Sequence, residues 1–268
     1  MLYSSINGIE DQYISISDRA LAYGDGLFTT AKIVNGEIQR LNEHIERLQS
    51  GCQQLGIYQP DYIALKAHLT DAVKPYELAV LKVVVSAGQG GRGYSRKGVT
   101  SPNVIVTVNA FPEHYLAWAE TGITLSDCSL TIGLNPLLKG IKHLNRLEQV
   151  LIRQELDTAL ADDLLVTNVL GHVIETSCAN VFWLKNEVLY TPSLEQSGVN
   201  GLVRQQIQNT FTNVQVVTAE LNDIDSVDGM FICNSVMGIV PVKQYNQTQF
   251  SITAIKNMQM ALEEKLKC

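Results

Sequence analysis

The sequence lacks any apolar run approaching the roughly 20 residues that a membrane-spanning helix needs, so a protein embedded by helices is not expected. Its start, "MLYSSINGIEDQY", lacks the charged segment and apolar core of a signal peptide. Positive charge is scarce: 20 Lys and Arg face 27 Asp and Glu, for a net charge of −7. An acidic surface repels phosphate backbones, and no basic cluster offsets it, so nucleic acid is not an expected partner. There is no CxxC pair. The cysteines, Cys52, Cys128, Cys178, Cys233 and Cys268, are odd in number and scattered. That pattern reads as reduced thiols in a cytoplasm, not as a disulfide framework. The histidines, His44, His68, His114, His143 and His172, are equally dispersed, so no metal site is expected.

What is present is a folded chain of 268 residues, 46% hydrophobic and 18% charged, long enough for one large or two modest domains. Leu41, Ile45, Leu48, Cys52 and Leu55 fall at helical spacing, with Gly56 as a stop. "PDYIALKAHLTDAV" predicts a second helix opened by Pro60, and further helices are expected at "LVRQQIQNTF" and "TAIKNMQMALEEKLK". "ELAVLKVVVSA" and "NVIVTVNAF" are rich in β-branched residues and predict strands. More strands are expected at "GITLSDCSLTI", "DDLLVTN", "VFWLK" and "VLYT", with a hairpin turn at Lys185-Asn186. A composition shift at "FPEHYLAWAETG" suggests a domain boundary near residues 112–119. The order is not a clean βαβα alternation, which disfavours a doubly wound parallel sheet.

"GQGGRG", Gly88 to Gly93, matches the dinucleotide-binding pattern literally. That reading requires a helix directly afterwards, because the pyrophosphate rests on its N-terminus. Here a loop and another strand follow, so the stretch reads as a glycine-rich connection. Its Arg92 and Tyr94 face either a ligand or water.

Lys142 lies in "GIKHLNRLEQVL". Asn145 and Glu148 are spaced as a helix N-cap and its reciprocal partner, with Leu144, Leu147, Leu151 and Ile152 as the buried stripe. Lys142 then sits just outside the helix, its stem held by apolar neighbours. A lysine desolvated there loses its preference for charge and can attack a carbonyl; a surface lysine fits the spacing as well. Three other stretches bear on the choice. "HVIETSCANVFWLK" puts Glu175 at the end of a short strand. "SGVNGLVRQQI" puts Gly198 and Gly201 before a helix start, where backbone N–H groups suit a phosphate. "FICNSVMGIVPV" ends a strand in Asn234 and Ser235, small donors of the same kind. A lysine, a carboxylate and an anion pocket together are what pyridoxal phosphate requires.

With these residues the chain resembles the fold-type IV (class IV aminotransferase-like) pyridoxal phosphate enzymes. The stretches that carry the resemblance span nearly the whole chain: "SDRALAYGDGLFTTAKIVNGEI", "HIERLQSGCQQL", "LKVVVSAGQGGRGYS", "GIKHLNRLEQVLIR", "ETSCANVFW", "YTPSLEQSGVNGLVRQ" and "ICNSVMGIVPV". The resemblance implies a mixed α and β (α+β) enzyme of two domains. A smaller N-terminal domain would span 1–112, and a larger C-terminal one, 113–268, would carry the lysine. It implies a cytoplasmic homodimer acting on a small molecule. "GRGYS" and "KHLNRLEQVL" resemble the lyase branch most closely. That branch implies conversion of 4-amino-4-deoxychorismate to 4-aminobenzoate and pyruvate in folate biosynthesis. The alternatives are a transaminase of the same fold acting on D- or branched-chain amino acids, and a non-catalytic cofactor-binding protein.

By the same resemblance Lys142 holds the cofactor covalently and moves protons, Glu175 pairs with the pyridine nitrogen, and Arg47 binds the phosphate. Gly201, Leu202, Val203, Asn234 and Ser235 complete the phosphate cup, with Val203 contributing only its backbone N–H. Phe28 stands where D-amino-acid transaminases carry a tyrosine, which weakens the transaminase reading. Arg92 and Tyr94, then Thr29 and Thr30, are the candidates for the substrate carboxylates.

Overall fold

The computed structural model describes residues 1–224 and 226–266, so Cys268 lies outside the described residues. The chain divides into two compact units, one of Met1–Pro112 with Ile141–Arg146, the other of Glu113–Gly140 with the chain from Leu147 onward. The segment that carries Lys142 thus groups with the first unit, where the sequence reading put it in the second. The cause is backbone pairing: the Phe28 N–H donates to the Lys142 carbonyl at 2.9 Å and the Leu144 N–H to Gly26 at 3.0 Å.

The first unit contains β1 (Tyr3–Ile6), α1 (Arg19–Tyr23), β2 (Gly26–Val34), β3 (Glu37–Ile38), α2 (Leu41–Leu55), α3 (Tyr62–Val73), β4 (Leu78–Ser86) and β5 (Asn103–Ala110). Its antiparallel sheet has the order β1-β5-β4-β2-β3. β2 alternates: Leu27, Thr29, Ala31 and Ile33 are buried, while Phe28, Thr30 and Lys32 are only partly covered. α2 packs on this strand and buries Ile45, Leu48 and Cys52, ending at Gly56 in the left-handed conformation as expected. Each fully buried leucine here contributes about 1.5–3 kcal/mol. α3 is capped by Asp61, whose carboxylate accepts the N–H groups of Ile63 and Ala64.

The second unit contains α4 (His114–Thr121), β6 (Ile123–Ile132), α5 (Leu147–Leu156), β7 (Asp163–Asn168), β8 (Val173–Thr176), β9 (Asn180–Lys185), β10 (Val188–Pro192), α6 (Leu202–Thr210), β11 (Val214–Val217), β12 (Gly229–Asn234), β13 (Gly238–Tyr245), β14 (Thr248–Gln249) and α7 (Thr253–Leu266). The strand order is β11-β10-β9-β12-β13-β6-β7-β8, with β14 on β13. Three pairs, β10 with β11, β13 with β6 and β6 with β7, are parallel; the others are antiparallel. Both faces are covered. Ile123, Leu165, Trp183, Met230 and Ile232 form one core, and Phe182, Val203, Ile207 and Phe231 another, with the two phenylalanine rings stacked at 4.9 Å.

Several local expectations change. The Asn145–Glu148 capping box does not form, because α5 begins only at Leu147. Asn145 instead donates its amide to the Gly24 carbonyl, and Glu148 accepts the Gly133 N–H at 2.7 Å. The buried stripe of α5 is Ile152 and Leu156; Leu147 and Leu151 are exposed. The hairpin turn is Asn186-Glu187, one residue later than expected, both at positive φ as a two-residue turn requires. The division between the units at Pro112 and Glu113 falls at the start of the 112–119 segment, which continues into α4.

The loop between β4 and β5 is anchored by charge. The Asp25 side chain is 7% exposed, and its carboxylate accepts from Arg19 Nε at 2.7 Å and from Arg96. Burial alone would raise its pKa, but the Arg96 and Arg19 guanidiniums outweigh burial and hold it below 3.8. A carboxyl depressed in the folded state stabilises above its unfolded pKa and loses that contribution as the pH falls through the folded value. Denaturant titrations should therefore show Asp25→Asn about 2–4 kcal/mol less stable than wild type at pH 7, with the gap shrinking steadily below the unfolded value of 3.8.

Candidate active site

Lys142 is set by its own short segment. Arg146 donates Nε to the His143 carbonyl and Nη2 to the Ile141 carbonyl, both at 2.9 Å, which curls residues 141–146 around one guanidinium. A single antiparallel bridge, Leu27 to His143, fixes that curl on β2. The half-buried Lys142 places Nζ 4.7 Å from the centre of the Phe28 ring, on the open face of the five-stranded sheet. Lys82 Nζ lies at the same distance from the same ring. Both ammoniums therefore lie within cation–π range of the one ring.

The neighbouring histidine is neutral at physiological pH. Burial first, then the charges of Arg146 and Lys142, push His143 down to about 4. His44 behaves alike, pushed to about 3 by burial and by Arg47 and Arg40. His44 Nδ1 lies 2.6 Å from the Thr29 hydroxyl, and both residues are buried between α2 and β2. Thr29 therefore faces the core and is not available to a ligand on the open face. Thr30 lies on that face, opposite Lys82 in the register. Arg47, on the middle turn of α2, is half-buried, and desolvation pulls its pKa down to about 10, so it stays cationic at neutral pH.

In the second unit Glu175 ends β8 and is 7% exposed. The Val199 N–H donates to its Oε2 at 2.9 Å. Val199 is in turn bridged in parallel to Gly140, two residues before Lys142 in sequence. Next come Gly201 and α6. Gly201 is extended at the N-cap, its N–H donates to Asn180 Oδ1, and no side chain caps the helix. A Cβ at Gly201 would lie 2.1 Å from Asn180 Oδ1, so a larger residue would have to displace that amide. The first-turn N–H groups of Leu202 and Val203 have no intrahelical acceptor and suit an anion. The Val203 side chain is fully buried. Asn234 is committed to its own turn: Oδ1 accepts the Val236 and Met237 N–H groups, and Nδ2 donates to the Cys178 carbonyl at 3.3 Å. Ser235 is half-buried in that turn.

Arg92 and Tyr94 sit on the β4–β5 loop, both exposed, Tyr94 to 90%, with its ring 5.5 Å from that of Tyr23. No helix follows the loop, which removes the dinucleotide reading on structural grounds. Sequence reasoning missed Arg146, Lys82 and the Arg19–Asp25–Arg96 cluster. The first two flank or face Lys142, but a charged residue in a sequence carries no mark of being turned inward. Among the described residues, no cluster of His, Cys, Asp and Glu is arranged to hold a metal, and no helix is long and apolar enough to cross a membrane.

The first unit offers a primary amine, and the second, taken by itself, a buried carboxylate held by a backbone N–H and an uncapped helix start. Those donors fit a phosphorylated aldehyde on an aromatic nitrogen ring. Comparison with known proteins agrees with that chemistry. The chain is 40% identical over 241 residues to the aminodeoxychorismate lyase of Vibrio harveyi, covering 88% of this chain and 89% of that protein. It is similar in structure to 4-amino-4-deoxychorismate lyase from Pseudomonas aeruginosa, with a TM-score of 0.89, 30% identity and 98% of each chain covered. It is also 26% identical to the D-alanine aminotransferase of Bacillus licheniformis, over 94% of this chain and 92% of that one. The amino-transferase class IV family matches residues 26–245, and the chain belongs to that family, with its two-unit mixed α and β fold.

Proposed function

We propose that the protein is a pyridoxal-phosphate-dependent carbon–oxygen lyase that converts 4-amino-4-deoxychorismate to 4-aminobenzoate and pyruvate, one step of folate biosynthesis. One observation carries the reading: the 7%-exposed carboxylate of Glu175 is held by the Val199 N–H at 2.9 Å, as an acid that pairs with a ring nitrogen must be. The extent of similarity to the Vibrio harveyi lyase favours this activity over transamination, as does Phe28, which has no hydroxyl to hold a carboxylate. The protein would work as a homodimer in the cytoplasm, with a small molecule as its only substrate.

When bound, pyridoxal phosphate supplies an aldehyde for a primary amine and an electron-poor ring that stabilises negative charge on a neighbouring carbon. Lys142 would hold it covalently. Glu175, whose Oε2 accepts the Val199 N–H, would pair with the pyridine nitrogen and favour its protonated form. Arg47, the N–H groups at Gly201, Leu202 and Val203, and Ser235 with the backbone of the Asn234 turn would take the phosphate. Lys142 Nζ would move the proton from the ring carbon that bears the amine, and the enolpyruvyl group would leave as pyruvate as the six-membered ring becomes aromatic. Arg92 and Tyr94, with Thr30 and Lys82 on the open face, would meet the two carboxylates.

Lys142→Ala should abolish 4-aminobenzoate formation, and borohydride should fail to fix the cofactor, whereas wild type yields a reduced adduct mapped to Lys142. An adduct on another residue ends the proposal. Glu175→Gln keeps an acceptor for Val199 but removes the charge; kcat should fall by about 100-fold or more with cofactor still bound. Arg92→Ala should raise KM by about tenfold or more, as losing a charge-assisted hydrogen bond does. An unchanged kcat/KM excludes Arg92 from substrate binding.

A further inference from the structure

We propose that Arg19, Asp25 and Arg96 are positioning residues that hold the glycine-rich loop in one conformation and so fix how Arg92 and Tyr94 meet the substrate; this rests on the reading above that the loop faces the substrate. Arg19 is 4% exposed. Its Nη1 donates to the carbonyls of Gly90, Gly93 and Ser95 at 3.3, 3.1 and 3.2 Å, and its Nη2 to that of Tyr94 at 3.2 Å. Its Nε goes to Asp25 at 2.7 Å. The guanidinium is therefore fully engaged and acts through the loop, not on a ligand. A dinucleotide loop aims N–H groups at an anion; this one aims four carbonyls at a cation.

That inversion explains the glycines. Gly90, Gly91 and Gly93 have φ of 106°, 74° and 57°, which curls the chain until its carbonyls converge. A Cβ on Gly91 would stand 2.2 Å from the Ser95 carbonyl oxygen and 2.9 Å from Arg19 Nη1. With the carbonyls turned inward, the Arg92 and Tyr94 side chains are left exposed. Tyr23 lies under both parts, with the Arg19 guanidinium 4.8 Å from its ring centre and the Tyr94 ring 5.5 Å away.

Asp25 joins this crown to the lysine. It pairs with Arg19 and with Arg96, at the far end of the loop. Its own carbonyl accepts the Ala87 N–H at 2.9 Å, and the Arg19 N–H donates to Gly88, so both ends of the loop are tied to one turn. That turn runs directly into Gly26 and Phe28, whose backbone groups hold Leu144 and Lys142. Loop and lysine segment thus share one rigid start of β2.

The test uses the cofactor-loaded full chain with enzymatically prepared 4-amino-4-deoxychorismate. Asp25→Asn and, should that variant fold poorly, the milder Arg96→Gln are compared with wild type and Arg96→Lys. Amide exchange across residues 89–98 should quicken about tenfold or more in both charge-removing variants. KM should rise by about tenfold while kcat and cofactor affinity change by less than about threefold, with Arg96→Lys recovering most of the loss. A merely structural role would lower the melting temperature without this KM-against-kcat split. Unchanged loop exchange overturns the anchoring role, and a loosened loop with unchanged KM overturns its link to the substrate. Failure of wild type to form 4-aminobenzoate overturns instead the activity on which the inference rests.

Discussion

The backbone pairing of residues 140–144 is the constraint on which the candidate site depends. Gly140 is bridged to Val199 in the second unit, and the chain passes into the first unit at the next residue. There the Phe28 N–H takes the Lys142 carbonyl and Gly26 takes the Leu144 N–H. A main-chain ladder has no rotamers, so it fixes the Cα of the lysine more firmly than side-chain contacts would. The side chain beyond that ladder reaches the Phe28 ring, 4.7 Å from its centre. Arg146, folded back onto the carbonyls of Ile141 and His143, closes the curl where no regular helix or strand could supply the bonds.

Polar groups around this pairing are arranged so that few net charges are buried without a counter-charge. Asp25 faces two guanidiniums. His44 and His143, surrounded by cations, are held neutral at about 3 and about 4. A neutral His44 serves the Thr29 hydroxyl and adds no positive charge beside Arg47. Neutral imidazoles add no further like charge beside these cations.

The residues whose chemistry is rare were legible in the sequence. A lysine ahead of a helix, a glutamate closing a strand and glycines before a helix start are each weak signs, but together they point to the class IV family that the chain belongs to. The errors came where partners distant in sequence decided the outcome. Asn145 and Glu148 had the right spacing for a cap, but Gly24 and Gly133 claimed their side chains. Thr29 and Thr30 are chemically identical, and strand alternation alone sends one to His44 and the other to the open face. Leu147 and Leu151 fit an apolar stripe, yet α5 buries Ile152 and Leu156 instead.

By itself the sequence determined the class of fold, the positions of α2, α3, β4 and β5 and the acidic balance of charge, and it singled out Lys142 as the candidate amine. Periodicity, turn residues and side-chain chemistry are local properties, and they survive without knowledge of the rest of the chain. Tertiary structure alone decided that residues 141–146 would lie on β2 and that the glycine-rich loop would close around Arg19. In the first, backbone N–H groups meet carbonyls across more than 100 residues of chain; in the second, four backbone carbonyls meet the Arg19 guanidinium across more than 70. Every residue carries a carbonyl, so no residue type announces where its backbone will pair.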